Sequence, residues 1–127
     1  MQICSAKDLV VYQKAFELAM RLFQVSKVFP REEKYALTDQ VRRASRSVCS
    51  NLAEAWAKRR YPAHFISKLS DSDGENSEVE TWLDFARKCG YLEASTHGEL
   101  VKQCREVGKM LGAMIRKPSS FFLTSDL

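Results

Sequence analysis

Glycine and proline are scarce in this chain, with five Gly and three Pro in 127 residues. So few breakers leave room for long uninterrupted helices. Strand-type alternation is missing from end to end, which argues against a sheet. No run of 18 apolar residues occurs, so no membrane-spanning helix and no membrane partner are expected. Residues 1–20 lack the continuous apolar stretch of a secretory signal, and the expected location is the cytoplasm. The four cysteines (Cys4, Cys49, Cys89 and Cys104) stand apart, and no two have the C-x-x-C spacing of a zinc or redox site. Cys49, Cys89 and Cys104 fall within helical segments and read as small buried hydrophobes.

Catalytic patterns are equally thin. His64 and His97 are the only histidines, and neither follows a glutamate by three positions as a di-iron bundle requires. No glycine-rich phosphate loop and no Ser-His-Asp constellation is present. Glu54, Glu78 and Glu80 would have to meet to form a carboxylate cluster. Without ligands or a base beside them, no enzyme activity and no cofactor are expected.

What is present points to one helical domain. The apolar fraction of 45% and the charged fraction of 28% are those of a soluble globular protein. A formal charge of +4 permits an anionic partner without requiring one. Helical periodicity predicts four segments, at about 8–28, 38–58, 62–89 and 96–116. In the first, Tyr12, Ala15, Phe16, Ala19, Leu22, Phe23 and Ser26 share a face. Pro30 stops it, because the residue before a proline avoids the helical region. Thr38 suits the N-cap of the second helix. Pro62 suits the first turn of the third, whose stripe is Phe65, Leu69, Ser72, Asn76, Val79, Leu83 and Ala86. Arg87, Lys88 and Gly90 give that helix a basic last turn and then a glycine able to turn left-handed. Thr96-His97-Gly98-Glu99 has the form of a capping box opening the fourth helix. Its stripe runs through Leu100, Val101, Cys104, Val107, Gly108, Leu111, Met114 and Ile115. Short breaks between such helices predict an all-α, antiparallel up-and-down four-helix bundle over residues 1–117. Residues 118–127 read as a flexible tail in which Phe121, Phe122 and Leu123 are available to dock on a neighbour.

The second helix carries the most information. Val41, Ala44, Ser45, Val48, Leu52, Ala55 and Trp56 make its apolar stripe, with Gln40, Arg43, Ser47, Asn51, Glu54 and Lys58 on one flank. Its many small residues allow a neighbour to approach closely, which would shield Ser47, Asn51 and Glu54 and oblige them to find partners. Ser72 and Asn76 interrupt the apolar stripe of the third helix. A polar layer of Ser47, Asn51, Ser72 and Asn76 across helices two and three follows, with Glu54 and Glu78 beside it.

Charge is segregated too. Residues 38–60 hold Arg42, Arg43, Arg46, Lys58, Arg59 and Arg60 against two acids, whereas residues 71–84 hold six acids and no Lys or Arg. One reading makes the six cations a phosphate-binding face for RNA or DNA. The other pairs them with the acidic helix, in the same subunit or the next, and makes the protein an interaction scaffold. Trp82 and Phe85 fall off the main stripe of helix three and Trp56 sits at the edge of helix two, as candidates for a subunit interface.

The segments VYQKAFELA (11–19), FPREEKYALTDQVRRASRSVCSNLAEAWAKR (29–59) and GENSEVETWLDFARKCGYL (74–92) resemble the family of 23S ribosomal RNA intervening-sequence proteins. The matches run through Phe29, Pro30, Glu32, Glu33, Tyr35, Leu37, Gln40, Arg42, Arg43, Ser47, Asn51 and Glu54, then Glu78, Glu80, Thr81 and Gly90-Tyr91-Leu92. Cys49, Trp56 and Asn76 depart from the family pattern. The resemblance spans roughly residues 8–115 and implies a four-helix bundle assembled into a homo-oligomeric ring, best known as a pentamer, without an established enzyme activity. It is similar in fold to the accessory protein of diversity-generating retroelements, which assists a reverse transcriptase. Both contexts imply RNA or DNA, or a protein such as a reverse transcriptase, as partner, by association alone.

Overall fold

In a computed structural model, residues 3–123 are described, and among them there are four α-helices and no strand. These are α1 (Val10–Val25), α2 (Asp39–Ala57), α3 (Pro62–Lys88) and α4 (Ala94–Arg116). Cross-helix contacts fix their order and direction. Arg43 of α2 meets Glu75 and Glu78 of α3, while Glu54 meets Lys68. Asn76 of α3 meets Cys104 of α4, and Asp84 meets His97. Lys14 of α1 meets Glu106, and Arg21 meets Glu99. In each pair of helices one number rises as the other falls, so neighbours run antiparallel and the bundle goes up, down, up, down.

The core follows the stripes. Every stripe position read from α3 is buried, as are Val41, Ala44, Ser45, Val48, Leu52, Ala55 and Trp56 of α2. In α1 the buried set is Val11, Ala15, Leu18, Ala19 and Leu22, rotated from the expected face, and Phe16 is left 52% exposed. The apolar interior divides into two clusters. One surrounds Phe65, Leu69, Val48, Leu52 and Leu111, and the other surrounds Leu22, Val41, Val79, Leu83 and Leu100.

Between those clusters lies a polar waist. The Ser72 hydroxyl donates to the Val48 carbonyl at 2.8 Å. The Asn76 amide donates to the Cys104 carbonyl at 2.9 Å, and the Cys104 thiol donates back to the Asn76 carbonyl at 3.2 Å. Buried polar groups are tolerable only with such partners. Gly108 makes room for them, since a Cβ there would come within 3.2 Å of the Asn76 amide nitrogen. The layer is therefore not the one expected. Asn51 bonds Ser47 inside α2, donating to its carbonyl and hydroxyl oxygens at 2.9 and 3.0 Å. Ser72 and Asn76 instead tie α3 to the backbones of α2 and α4.

Helix ends differ from expectation in two places. A π turn, Lys34–Thr38, runs straight into α2, so Thr38 is helical and buried rather than capping. Glu93 occupies the N-cap of α4, so Thr96, His97 and Glu99 lie inside the helix and form no capping box. The end of α3 is as read. Gly90 has φ +82, and the Tyr91 and Gly90 amides donate to the Ala86 and Arg87 carbonyls, closing the turn in a Schellman motif. After α4 a 3-10 turn, Pro118–Phe121, brings Phe121 and Phe122 onto Phe65. The Leu123 amide donates to the Arg59 carbonyl at 3.2 Å. The flexible tail read over 118–127 is thus placed against the bundle at 118–123, and 124–127 lie outside the described residues.

Cys49 and Cys104 are buried, whereas Cys89, expected inside, is exposed, as is Cys4. Burial pushes the Cys49 thiol up to about 11 and the Cys104 thiol up to about 12. Both native values lie above the ordinary 9.0, so the stability that goes with neutral buried thiols is intact below about pH 9 and drains away above it. Chemical denaturation at a series of alkaline pH values should show that fall, and a thiol reagent at neutral pH should label Cys4 and Cys89 alone in the native state. The waist makes a second prediction. Asn76→Ala should cost about 1–3 kcal/mol. Gly108→Ala should stabilise more in that background than in the native one, because only there does the gain in helix propensity of about 0.5–1 kcal/mol come free of crowding. Urea denaturation of the four proteins checks it.

Candidate nucleic-acid interface

The six cations read from the sequence do not form one surface. Arg42 closes the end of α1. Its Nε donates to the Ser26 hydroxyl at 2.8 Å and an Nη to the Phe23 carbonyl at 3.3 Å, with the guanidinium 4.8 Å from the Phe23 ring. A cation at a helix C-terminus satisfies free carbonyls and the negative end of the dipole. Arg43 is committed to the acidic helix of its own chain, at 2.6 Å from Glu78 and 3.2 Å from Glu75, and these carboxylates raise its pKa. Arg46 is exposed, 5.9 Å from the Phe23 ring, and has no carboxylate partner among the described residues.

The other three sit where α2 turns into α3. The Arg59 guanidinium lies 3.5 Å from the Trp56 ring, and its Nε donates to the Trp56 carbonyl at 2.8 Å. Burial pulls its pKa down. Stacking on indole holds a cation without neutralising it. Lys58 and Arg60 are exposed, without carboxylate partners among the described residues. Tyr61, 54% exposed, stands at the N-cap of α3, its ring 5.8 Å from His64.

This corner gathers more charge than the sequence reading found. The up-and-down topology brings the start of α1 and the end of α4 to the same end of the bundle as the α2–α3 turn. Ala6 and Leu9 pack in one cluster with Trp56, Phe65 and Met114, and Leu123 is bonded to Arg59. Lys7, Arg116 and Lys117, all exposed, therefore join Lys58, Arg59 and Arg60 at this end. The neighbouring acid, Asp8, is occupied as an acceptor for the Cys4 and Ser5 amides at 2.8 and 3.1 Å. The three added cations are more than 40 positions from Arg60 in sequence; only counting which helix ends coincide in an up-and-down bundle would have joined them.

The carboxylates considered as a cluster are dispersed. Glu54 pairs with Lys68 at 2.9 Å, Glu78 with Arg43, and Glu80 with Arg105 at 3.1 Å. His97 faces Asp84 at 2.9 Å. Among the described residues no group of three or more His, Cys, Asp or Glu is placed to hold a metal ion. Among the described residues, the basic end thus offers what phosphate recognition needs: cations without carboxylate partners, one aromatic face beside them, and no array of side chains suited to reading base edges.

The family model described as 23S rRNA-intervening sequence protein matches residues 7–113. No curated protein matches the chain. Among solved structures, one similar chain is a protein of unknown function from the S23 ribosomal protein family of Bacteroides thetaiotaomicron VPI-5482. It is 28% identical, with a TM-score of 0.78, over 87% of this chain and 99% of that one.

Proposed function

This chain belongs to the 23S rRNA-intervening sequence protein family, and from that premise we propose that it is a non-enzymatic, homo-oligomeric accessory protein that binds RNA or DNA through the phosphate backbone. The observation that carries this reading is the basic end. Lys7, Lys58, Arg59, Arg60, Arg116 and Lys117 converge there from three parts of the chain, and the adjacent Asp8 is engaged by backbone amides. A cluster of this kind supplies affinity through counterion release and carries no sequence information. Tyr61 adds a ring on which an unpaired base can stack. Repeating the cluster in each subunit of an oligomer turns weak contacts into avidity.

Arg42 and Arg43 are not part of this site. Their partners inside the chain leave them holding α1 to α2 and α2 to α3. The family's name associates it with 23S ribosomal RNA, and structured RNA is the first substrate to test.

Filter binding of a structured RNA at low salt should give saturable binding. Its affinity should fall with salt by about 0.7–0.9 log units per log unit of salt for each phosphate neutralised. The triple variant Lys58→Glu, Arg60→Glu, Lys117→Glu should bind at least tenfold more weakly and with a shallower salt slope. Arg43→Ala should bind like the native protein. No binding of structured RNA or duplex DNA at low salt would remove the proposal.

A further inference from the structure

A cavity of about 410 Å³ opens between α3 and α4. Its α3 wall is a stripe spaced for one helix face, Asp73, Ser77, Glu80 and Asp84. Across from it α4 presents Arg105, Gly108 and Lys109. The floor is the polar waist. Asn76 is 5% exposed and lines the cavity. One of its amide hydrogens goes to the Cys104 carbonyl at 2.9 Å, and its oxygen takes the Cys104 thiol at 3.4 Å. The second amide hydrogen has no acceptor among the described residues. Gly108 keeps it reachable. A Cβ there would stand 3.2 Å from the amide nitrogen and close the approach from the α4 side.

The charges around this donor are unevenly matched. Glu80 is held by Arg105 at 3.1 Å. Asp84 faces His97 at 2.9 Å, a partner that carries charge only when protonated. Asp73, half-buried, has no cationic partner among the described residues, and Lys109 has no carboxylate partner there. These two line the same cavity without pairing with each other. Asp73, Glu80 and Asp84 against Arg105 and Lys109 leave the lining with one negative charge in excess.

We infer that this cavity binds a free α-amino acid with a cationic side chain, of the lysine or arginine class. The ligand carboxylate accepts from the Lys109 ammonium and from the spare Asn76 N–H, charge-assisted contacts of the kind that fix orientation. Its α-ammonium pairs with Asp73. Its side chain runs along α3 toward Glu80, two turns further on, where the excess negative charge lies. Ser77, one turn from Asp73, offers a hydroxyl without a hydrogen bond of its own among the described residues. Neither sign of charge alone satisfies this lining. A polyamine leaves Lys109 and the Asn76 N–H without an acceptor, and a plain anion meets the excess carboxylate. The cavity is separate from the basic end and does not depend on it. Asp73 lies eleven residues along α3 from Pro62, about 16 Å of helix.

Titration of the ¹⁵N-labelled chain with L-lysine and with L-arginine, followed by amide chemical shifts, tests this. Saturable shifts should centre on Ser77, Gly108 and Lys109. Cadaverine, which keeps both amines of lysine and lacks the carboxylate, should bind at least tenfold more weakly than L-lysine. Lys109→Met and Asp73→Asn should each weaken L-lysine tenfold or more. Both replace side chains outside the apolar core, and urea denaturation confirms that they fold. Gly108→Ala, which closes the gap over the Asn76 amide, takes the place of either variant that does not. Absence of a saturable shift with either amino acid overturns the site. So does cadaverine binding as tightly as L-lysine, or L-lysine binding that survives the substitutions undiminished.

Discussion

The fold depends on a pair of buried polar side chains in the middle of α3. Ser72 and Asn76 sit where an all-apolar stripe would pack without registration, and each is held by one backbone carbonyl on a neighbouring helix. Leucine in both places would remove the two bonds that tie the register of α3 to the backbones of α2 and α4. Those hydrogen bonds select one register, because any other strands a buried amide or hydroxyl. Gly108 is the complement on α4, the point where the helices come close enough for the Asn76 amide to reach the Cys104 carbonyl.

The surface inherits the register set at this waist. The ion pairs Arg43–Glu78, Glu54–Lys68 and Arg105–Glu80 lie along the same helix pairs and agree with it. Exposed pairs of this kind add little stability, and their value here is in consuming charge. They engage Glu78 and Glu80 of the acidic third helix and take Arg43 out of play. Among the described residues, the cations left without a carboxylate partner include Arg46 on one side of α2 and six at one end of the bundle, alongside others such as Lys27, Arg31 and Lys102. The same register keeps Phe65 under Phe121 and Phe122 at that end, and so fixes the tail beside Arg59.

Much of this was legible in the residues, and the rest failed for identifiable reasons. The α3 stripe could be read position by position, since its two polar members interrupt a plain helical period. The α2 stripe was equally clear. In α1, apolar residues occupy more than half the circumference, and periodicity alone selected Phe16 over Val11 and Leu18; the face against α2 and α4 is settled only by packing. Thr38 looked like a cap because the π turn before it leaves no sequence signature. Thr96 and Glu99 satisfied a capping pattern, but Glu99 is drawn to Arg21 of α1 instead. The cations are legible as residue types, but the partners that some of them find inside the chain are not. Arg42, Arg43 and Arg46 are neighbours in sequence yet face a helix end, a carboxylate pair and an open groove.

The central claim is that the charge left over after internal pairing serves a polyanion. Protein purified from cells at low salt, without nuclease, reports on this through the ratio of its absorbance at 260 and 280 nm. The account predicts a ratio raised by co-purifying nucleic acid, falling to that of pure protein after a high-salt wash and staying low when Lys58, Arg60 and Lys117 are replaced by glutamate. A native protein that emerges at low salt with the absorbance ratio of protein alone would contradict it.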